Sequence, residues 1–288
     1  MLHGNGSLHL ILGLLLSLWV GHSAPVASPV EGHPLTEAVR LGLEGGTGTF
    51  DHTIFDDLLR RHVSDGGEVD YPALLREKDK LRSYLDRLAK ADLEGLGGDS
   101  LLAFLINAYN AYTLDLVTAH WPVKSIRDIE NPWNVNRCLI SGEVVSLDFI
   151  EHSLLRSEEF FDEPRIHFAV NCASKGCPPL LNRAFVGKGI SVQLTDAVEK
   201  ALRSPGQLRV CEGRVDVSKI FYWFGEDFRR KGATVLKFLQ TSAPAEAVEV
   251  LKEKGEKSIT YLPFDWSVNL WKRDREKRDN GDPFGGEK

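Results

Sequence analysis

The 288-residue sequence predicts a single α+β domain, helix-rich in its N-terminal half and with a small, mostly antiparallel sheet in its C-terminal half. Apolar residues recur at helical spacing through the first half of the chain. Short apolar runs flank Ser141-Gly142 and again Glu212-Gly213, a pattern that predicts two β-hairpins. Because strands and helices do not alternate regularly, we do not expect a doubly wound parallel sheet.

Each element has its own local signal. Gly66-Gly67 ends a first helix, Asp99 or Ser100 caps a long apolar one, and Ser146 caps another. Pro178-Pro179 is expected to open a further helical stretch, since proline is tolerated at the first helical position. The expected helices cover Ile54–Val63, Leu74–Leu88, Leu101–His120, Leu147–Leu155, Ser218–Phe228 and Thr234–Gln240. The expected strands are Glu68–Tyr71, the hairpin Leu139–Val145, Ile166–Cys172, Leu208–Cys211 with Val215–Val217, and Thr260–Leu262.

The composition is that of a globular protein with a mild acidic excess. Hydrophobic residues make up 42% of the chain and charged residues 26%, values that are not typical of a disordered chain. Lys and Arg number 35 against 41 Asp and Glu, for a net charge of -6. A nucleic-acid-binding domain normally shows a basic excess, so we expect no nucleic-acid partner and instead an unknown small molecule or peptide.

The first thirty residues contain no Lys, Arg, Asp or Glu. Within them, Leu8–Val20 is almost wholly apolar but shorter than the roughly 20 residues that a membrane span needs. Small residues follow, as at a signal-peptide cleavage site. We therefore expect residues 1–23 to be a signal peptide, with an uncleaved N-terminal anchor as the alternative. Cleavage would make the protein secreted or periplasmic, and no longer attached to a membrane.

The remaining chain divides into three parts. Residues 24–50 are rich in Pro, Gly and small residues and are interpreted as a flexible tether with one possible short helix, Leu35–Leu43. Residues 51–271 carry the periodic segments and form the expected domain. Residues 272–288 are dominated by charges and Gly, which is typical of a solvated tail.

Four cysteines, Cys138, Cys172, Cys177 and Cys211, allow three full disulfide pairings. Cys177 directly precedes the expected helix start, where backbone N–H groups would favour its thiolate. It is therefore a candidate nucleophile, with His167 or His152 as its base. Alternatively, Cys172 and Cys177 form a disulfide or a redox pair, in which case Cys138 and Cys211 are the natural second pair. A metal site is a weaker hypothesis because the Cys-x4-Cys spacing is unusual, and plain core packing stays open too.

Polar residues within apolar helices form a second group of candidates. Asn107 and Asn110 share one face of the long apolar helix, where asparagine is a poor helix former. They either bond to the backbone of a neighbouring loop or take part in chemistry as an orienting or oxyanion-binding amide. Glu151 and His152 lie at the edge of an apolar stripe, where they are either a solvated pair or site residues.

Two aromatic runs complete the list of features. They are Phe221-Tyr222-Trp223-Phe224 and Phe264-Asp265-Trp266. Rings in such runs are mostly core residues, and the alternative is a surface on which a ligand stacks.

Several of these segments together resemble domain-of-unknown-function family 547. The resemblance spans about residues 50 to 271 and rests on separate motifs in the right order. These motifs are Val69–Tyr71, Leu102–Ala111, Ser146–His152, Arg165–Ser174, Gly176–Leu180 and Phe264–Asn269. The resemblance implies no settled reaction. It implies exported or multidomain bacterial proteins, and eukaryotic relatives in which the domain accompanies glutaredoxin-like modules, which favours thiol chemistry by association. The positions that it carries over are Asn107, Asn110, Glu151, His152, His167, Cys172 and Cys177.

Three functions follow as hypotheses. The first is an exported thiol-dependent hydrolase or acyl transferase with Cys177 as nucleophile. The second is a thiol–disulfide redox protein with a thiol-redox partner. The third is a non-enzymatic cell-envelope binding or scaffold module with a structural disulfide. No cofactor and no metal is indicated, and whether the protein is an enzyme stays open.

Overall fold

The computed structural model describes residues 30–272. The expected signal peptide, residues 24–29 of the expected tether and the tail after residue 272 lie outside the described residues. The α+β class is confirmed: the chain is about 51% helical and has two small, mostly antiparallel sheets. Helices dominate the N-terminal half, and the strands lie in the C-terminal half.

Helices account for most of the described chain. The α-helices are α1 (Pro34–Gly45), α2 (Thr53–His62), α3 (Tyr71–Arg76), α4 (Lys78–Leu88), α5 (Gly98–Ala119), α6 (Ile190–Leu202), α7 (Ile220–Trp223), α8 (Val235–Ser242) and α9 (Ala245–Lys254). A π-helix covers Phe149–Leu155, and 3₁₀ helices cover Ile126–Asp128, Pro164–Phe168, Asp227–Gly232 and Gly255–Ser258.

Helix α5 lies at the centre of the fold. Its residues are buried almost all the way round, and helices α1, α3, α4, α6 and the π-helix pack against it. A helix that is apolar on nearly every side must be enclosed by other elements. Helix α1 lies within the range interpreted as a tether, and its Leu35 and Val39 are buried in the same core.

Both expected hairpins form. Strands β1 (Cys138–Ile140) and β2 (Glu143–Val145) pair antiparallel, as do β3 (Leu208–Cys211) and β4 (Arg214–Val217). Each turn has two residues with positive φ, Ser141 and Gly142 in the first and Glu212 and Gly213 in the second, as type I′ turns require. Strand β5 (Ile259–Tyr261) adds to β4 in parallel.

Three expected elements are wrong, and two of them lie at the candidate site. The third is the expected strand Glu68–Tyr71, where Val69 makes only isolated bridges and Tyr71 begins α3. The segment expected as strand Ile166–Cys172 begins as the 3₁₀ helix Pro164–Phe168, with Pro164 in its first turn and Glu163 as its side-chain cap. The segment after Pro178-Pro179 forms no helix before α6. Side chains from other helices accept hydrogen bonds from the backbone of this segment instead. For example, Asp56 on α2 accepts from Ala184 N at 2.9 Å.

The C-terminal part differs from expectation in detail. The expected helix Ser218–Phe228 is divided into the short α7 and the 3₁₀ segment Asp227–Gly232, and α9 was not expected. Between residues 30 and 272, no helix is both long and apolar enough to cross a membrane.

Candidate functional site

A disulfide joins Cys172 and Cys177 across a sequence separation of 5, with the two Cα atoms 6.3 Å apart. Cys172 is half-buried, whereas Cys177 is 9% exposed. The expected partner bridge, Cys138–Cys211, is wrong. Cys138 is a buried thiol in β1 and Cys211 an exposed thiol in β3, strands that belong to different sheets.

The loop that carries the disulfide is held by side-chain amides. Asn110 Nδ2 donates to Ala169 O at 2.9 Å, and its Oδ1 accepts from Asn171 N at 2.9 Å. Asn171 in turn donates to Pro178 O at 2.8 Å and accepts from Ala173 N at 2.8 Å. These bonds fix the backbone just before and just after the two cysteines, because each buried amide has a backbone partner.

The C-terminal segment fixes the middle of the same loop. Lys175 N donates to Ser267 O at 2.9 Å, and Gly176 N donates to Asp265 O at 2.8 Å. Gln207 Nε2 donates to Gly176 O at 2.8 Å. A Cβ on residue 176 would lie 2.8 Å from Asp265 N, so only glycine fits this approach. The loop therefore has non-covalent restraints along its whole length.

The environment of Cys177 differs from the expected one. Because no helix follows Pro178-Pro179, no helix N-terminus is present to favour a thiolate there. A different donor takes that place: the backbone N–H of Cys172 points at Cys177 Sγ over 3.1 Å. Hydrogen bonds from backbone amides stabilise negative charge on the atom that accepts them.

Asn107 and Asn110 act as clamps for loop backbone. Asn107 Nδ2 donates to Phe185 O at 2.7 Å, and its Oδ1 accepts from Phe185 N at 3.0 Å. Asn110 holds the loop before Cys172 in the same two-point manner. Asn107 and Asn110 thus bond to the backbone of neighbouring loops, which is the first of the two roles expected from the sequence. Neither amide lies beside a nucleophile as an orienting or oxyanion-binding group.

His167 pairs with Asp227 and not with a cysteine. Its Nε2 lies 2.7 Å from Asp227 Oδ2, and its ring stacks on Phe224 with the centroids 4.2 Å apart. Burial lowers the pKa of His167, and the hydrogen bond to Asp227 opposes that shift only in part. The imidazole is therefore a buried, neutral donor to a carboxylate.

Two arginines complete this buried network around Asp227. Arg156 donates to both carboxylate oxygens, with Nε 2.6 Å from Oδ2 and Nη2 3.1 Å from Oδ1. Arg230 Nη2 lies 2.8 Å from Oδ1. Burial raises the pKa of Asp227, but hydrogen bonds from His167 and Arg156 outweigh burial and hold that pKa well below its ordinary value. The carboxylate stays ionised and paired.

Glu151 and His152 lie on the π-helix Phe149–Leu155. An arginine can only donate, so the His152 Nδ1 that contacts Arg156 Nη1 must accept. The proton of neutral His152 is then on Nε2, 3.4 Å from Asp148 Oδ1. Burial raises the pKa of Tyr109 well above its usual range, and the negative charge of the nearby Glu151 carboxylate adds to this shift.

The structure thus separates the expected site into two. The disulfide loop is held by Asn110, while His152 and His167 belong to the network of arginines and Asp227, and Glu151 lies beside Tyr109. No hydrogen bond within the described range connects either histidine to Cys172 or Cys177, so the expected Cys177–His base pair is not assembled. Arg156 shares a helix face with His152 and could have been noticed, but Asp227, 60 residues from His167, gave no sequence signal.

A cluster of rings borders the disulfide loop. It consists of Trp133, Trp223, Phe264 and Trp266, all half-buried, and we call it the aromatic cluster. Phe264 and Trp266 have centroids 4.5 Å apart, and Trp223 lies 4.9 Å from Phe264. The Phe264 ring lies against Gly176 of the loop, and Arg127 lies over the Trp266 ring at 5.2 Å. By contrast Phe221 is buried in the core.

Residues 93–200 match a family model described as a protein of unknown function, DUF547. This stretch of the chain is similar to that family. All seven positions that the resemblance carried over lie inside the matched range, whereas Asp227, Arg230 and Trp266 lie beyond it. No curated protein matches the chain, and no solved structure does. Among residues 30–272, no group of three or more His, Cys, Asp or Glu side chains is placed to hold a metal.

Proposed function

We propose that this protein is an exported thiol–disulfide exchange protein whose reacting pair is Cys172 and Cys177. The observation that carries the proposal is that hydrogen bonds from Asn110, Asn171 and Gln207 set the shape of the loop without the disulfide. A loop of this kind keeps its geometry when the S–S bond opens, so the dithiol and disulfide forms can interconvert without unfolding.

The two sulfurs have different surroundings, which gives the exchange a direction. Cys172 is half-buried and Cys177 is almost enclosed, so an incoming thiolate has better access to Cys172. Attack on Cys172 Sγ forms an intermolecular S–S bond, breaks the Cys172–Cys177 bond and leaves the electron pair on Cys177 Sγ. The Cys172 N–H, already 3.1 Å from that sulfur, stabilises the thiolate that leaves.

A second step completes the reaction with balanced electrons. The second thiolate of the partner dithiol attacks the partner sulfur of the mixed disulfide, so the partner is released as a disulfide and Cys172 as a thiolate. The protein is reduced by two electrons and the partner dithiol is oxidised by two. Each cysteine thiolate then takes a proton from solvent.

The test compares two single-cysteine versions of the pair in a Cys211→Ser background, which removes the exposed free thiol. Cys177→Ser leaves Cys172 available, and Cys172→Ser leaves Cys177. With oxidised glutathione at pH 7.5, we expect Cys172 to form a mixed disulfide at least about tenfold faster than Cys177, because access governs the attack. Mass spectrometry follows both reactions, and the buried Cys138 serves as an internal thiol that stays unmodified.

Equal rates for the two variants would overturn the assigned direction of exchange. A Cys177→Ser protein that is folded by circular dichroism but forms no mixed disulfide at Cys172 would overturn the function. Either result is readable because the hydrogen bonds from Asn110 and Gln207 hold the loop in both variants.

Export is part of the same proposal. The apolar, charge-free start of the chain is typical of a signal peptide, and a disulfide persists in oxidising compartments. The mass of the protein purified from its native host tests this point. We expect a mature N-terminus at Ala24, and a full-length cytosolic protein with reduced cysteines would contradict it.

A second candidate function rests on the aromatic cluster. Four half-buried rings beside a rigid loop are also what a binding module needs, and the disulfide would then be purely structural. Tryptophan fluorescence titrations with a panel of short peptides and glycans test it. Binding that Trp223→Ala abolishes and Trp121→Phe retains would favour this function, since Trp121 stacks on Tyr71 outside the cluster.

A further inference from the structure

A cavity of about 300 Å³ lies between the 3₁₀ segment Asp227–Gly232 and α8. Its apolar wall is formed by Phe228 and Phe238, whose rings are 5.0 Å apart in an edge-to-face arrangement. Arg230 and Lys237 supply positive charge to the same cavity. The volume is at the lower end of the roughly 300–1,000 Å³ that is usual for small-molecule sites. None of the lining residues belongs to the disulfide loop.

Arg230 shows that the cavity is more than a packing gap. Its side chain is only 7% exposed, yet its donors are incompletely used. Nη2 donates to Arg156 O at 2.7 Å and to Asp227 Oδ1 at 2.8 Å. The nearest acceptor recorded for Nη1 is Asp162 Oδ1 at 3.8 Å, which is beyond hydrogen-bond distance.

The third nitrogen of this guanidinium is also incompletely satisfied. Nε is buried and makes no hydrogen bond of good geometry within the described range, although Glu158 Oε1 is 3.1 Å away. Arg230 thus has three carboxylates around it and one nitrogen, Nη1, with no acceptor within hydrogen-bond distance among residues 30–272. This nitrogen is available to an acceptor from outside the chain.

The charges around Arg230 select the kind of acceptor. Asp162, Asp227 and Glu158 all lie close to this guanidinium, so a dianion would meet strong repulsion. Lys237 is exposed on α8 and has no ion pair among residues 30–272, so it can contact one carboxylate at the rim. The two phenylalanines favour an apolar group behind that carboxylate.

We propose that this cavity binds a small monocarboxylate with an aromatic or branched apolar body. Arg230 Nη1 and the Lys237 ammonium hold the carboxylate, and Phe228 and Phe238 pack against the apolar body. This site is independent of the exchange reaction at Cys172 and Cys177, and either can be present without the other.

The test uses phenylacetate as the probe and the full mature chain, followed by isothermal titration calorimetry. Phenylethylamine, acetate and inorganic phosphate are the comparison compounds. We expect phenylacetate to bind, acetate to bind at least about tenfold more weakly because it lacks the buried ring, and the amine and phosphate not to bind.

Two substitutions away from the buried network keep the test falsifiable, because Arg230 also supports Asp227. Lys237→Gln should weaken phenylacetate binding about threefold to fivefold, as for an exposed charged contact. Ala233→Leu fills the mouth of the cavity and should weaken binding at least about tenfold. Lys252→Gln, an exposed lysine on α9, is the matched control and should bind like the unaltered protein.

Three outcomes would overturn the proposal. These are a folded protein that does not bind phenylacetate at millimolar concentration, phosphate that binds as tightly as phenylacetate, and Lys237→Gln and Ala233→Leu variants that both bind like the unaltered protein.

Discussion

Asn110→Ala should destabilise the protein more than removal of the disulfide does. Asn110 Nδ2 and Oδ1 satisfy the buried backbone groups Ala169 O and Asn171 N, both at 2.9 Å. Alanine leaves an acceptor and a donor unpaired, and each unpaired buried group costs about 1–3 kcal/mol. The expected loss in the free energy of unfolding is therefore about 3–5 kcal/mol.

Removing the disulfide has a smaller expected cost. The bond closes a loop with a sequence separation of only 5, and the chain-entropy model gives about 2 kcal/mol for so short a loop. Because Asn171 and Gln207 hold the same loop in the folded state, the Cys172→Ser/Cys177→Ser protein should keep its native circular dichroism spectrum.

Urea unfolding of the two proteins beside the unaltered one measures this ranking. Asn182→Ala is the matched control, because Asn182 makes one exposed hydrogen bond to Asp65, and it should cost less than about 0.5 kcal/mol. A loss below about 1 kcal/mol for Asn110→Ala, or a disulfide that contributes more than Asn110 does, would refute the reasoning that amides shape the loop.

Three further predictions concern titration, charge and thiol access. Burial lowers the pKa of His52 from 6.5 to about 4, so the folded protein resists protonation of this side chain. The free energy of unfolding is unaffected by His52 above about pH 6.5 and falls by about 3 kcal/mol as the pH falls towards 4. Urea unfolding should show a weaker pH dependence for His52→Phe than for the unaltered protein, and equal dependence would contradict this. Asp227→Asn leaves two buried arginines without their carboxylate and should lower the free energy of unfolding, measured in urea, by about 3–5 kcal/mol. Asp216→Asn removes the more exposed ion pair with Arg214 and should cost under about 1 kcal/mol. Similar losses for the two variants would contradict the buried network. Burial raises the pKa of Cys138 to about 12, so iodoacetamide at pH 8 should modify Cys211 alone in the native protein, and a second modified cysteine by mass spectrometry would be the contrary result.

The sequence was informative where the signal is local. Helical spacing of apolar residues predicted α2 and α5. Both hairpins were predicted from their two-residue turns, because a turn with two successive positive φ values favours glycine, which is present in Ser141-Gly142 and Glu212-Gly213. The pair Cys172 and Cys177 and the clamp residues Asn107 and Asn110 could also be selected from their positions.

The site itself depended on contacts between distant segments. The stretch from Ile166 to Cys172 has the composition of a buried strand, but no strand within residues 30–272 pairs with it. The amide of Asn110 on α5 instead bonds Ala169 O and Asn171 N. The partner of His167 is Asp227, and Arg230 joins them from the same 3₁₀ segment. Nothing in the residues near His167 indicates such a partner, because tertiary packing alone brings the two segments together.

The reduction potential of the Cys172–Cys177 pair tests the proposed exchange most directly. The folded Cys211→Ser protein is equilibrated in glutathione buffers of graded potential, and the fraction of disulfide is measured by alkylation and mass spectrometry. We predict a midpoint above about -300 mV and an unchanged circular dichroism spectrum in the reduced form. A midpoint below about -300 mV, or unfolding on reduction, would contradict thiol–disulfide exchange and make the bond structural.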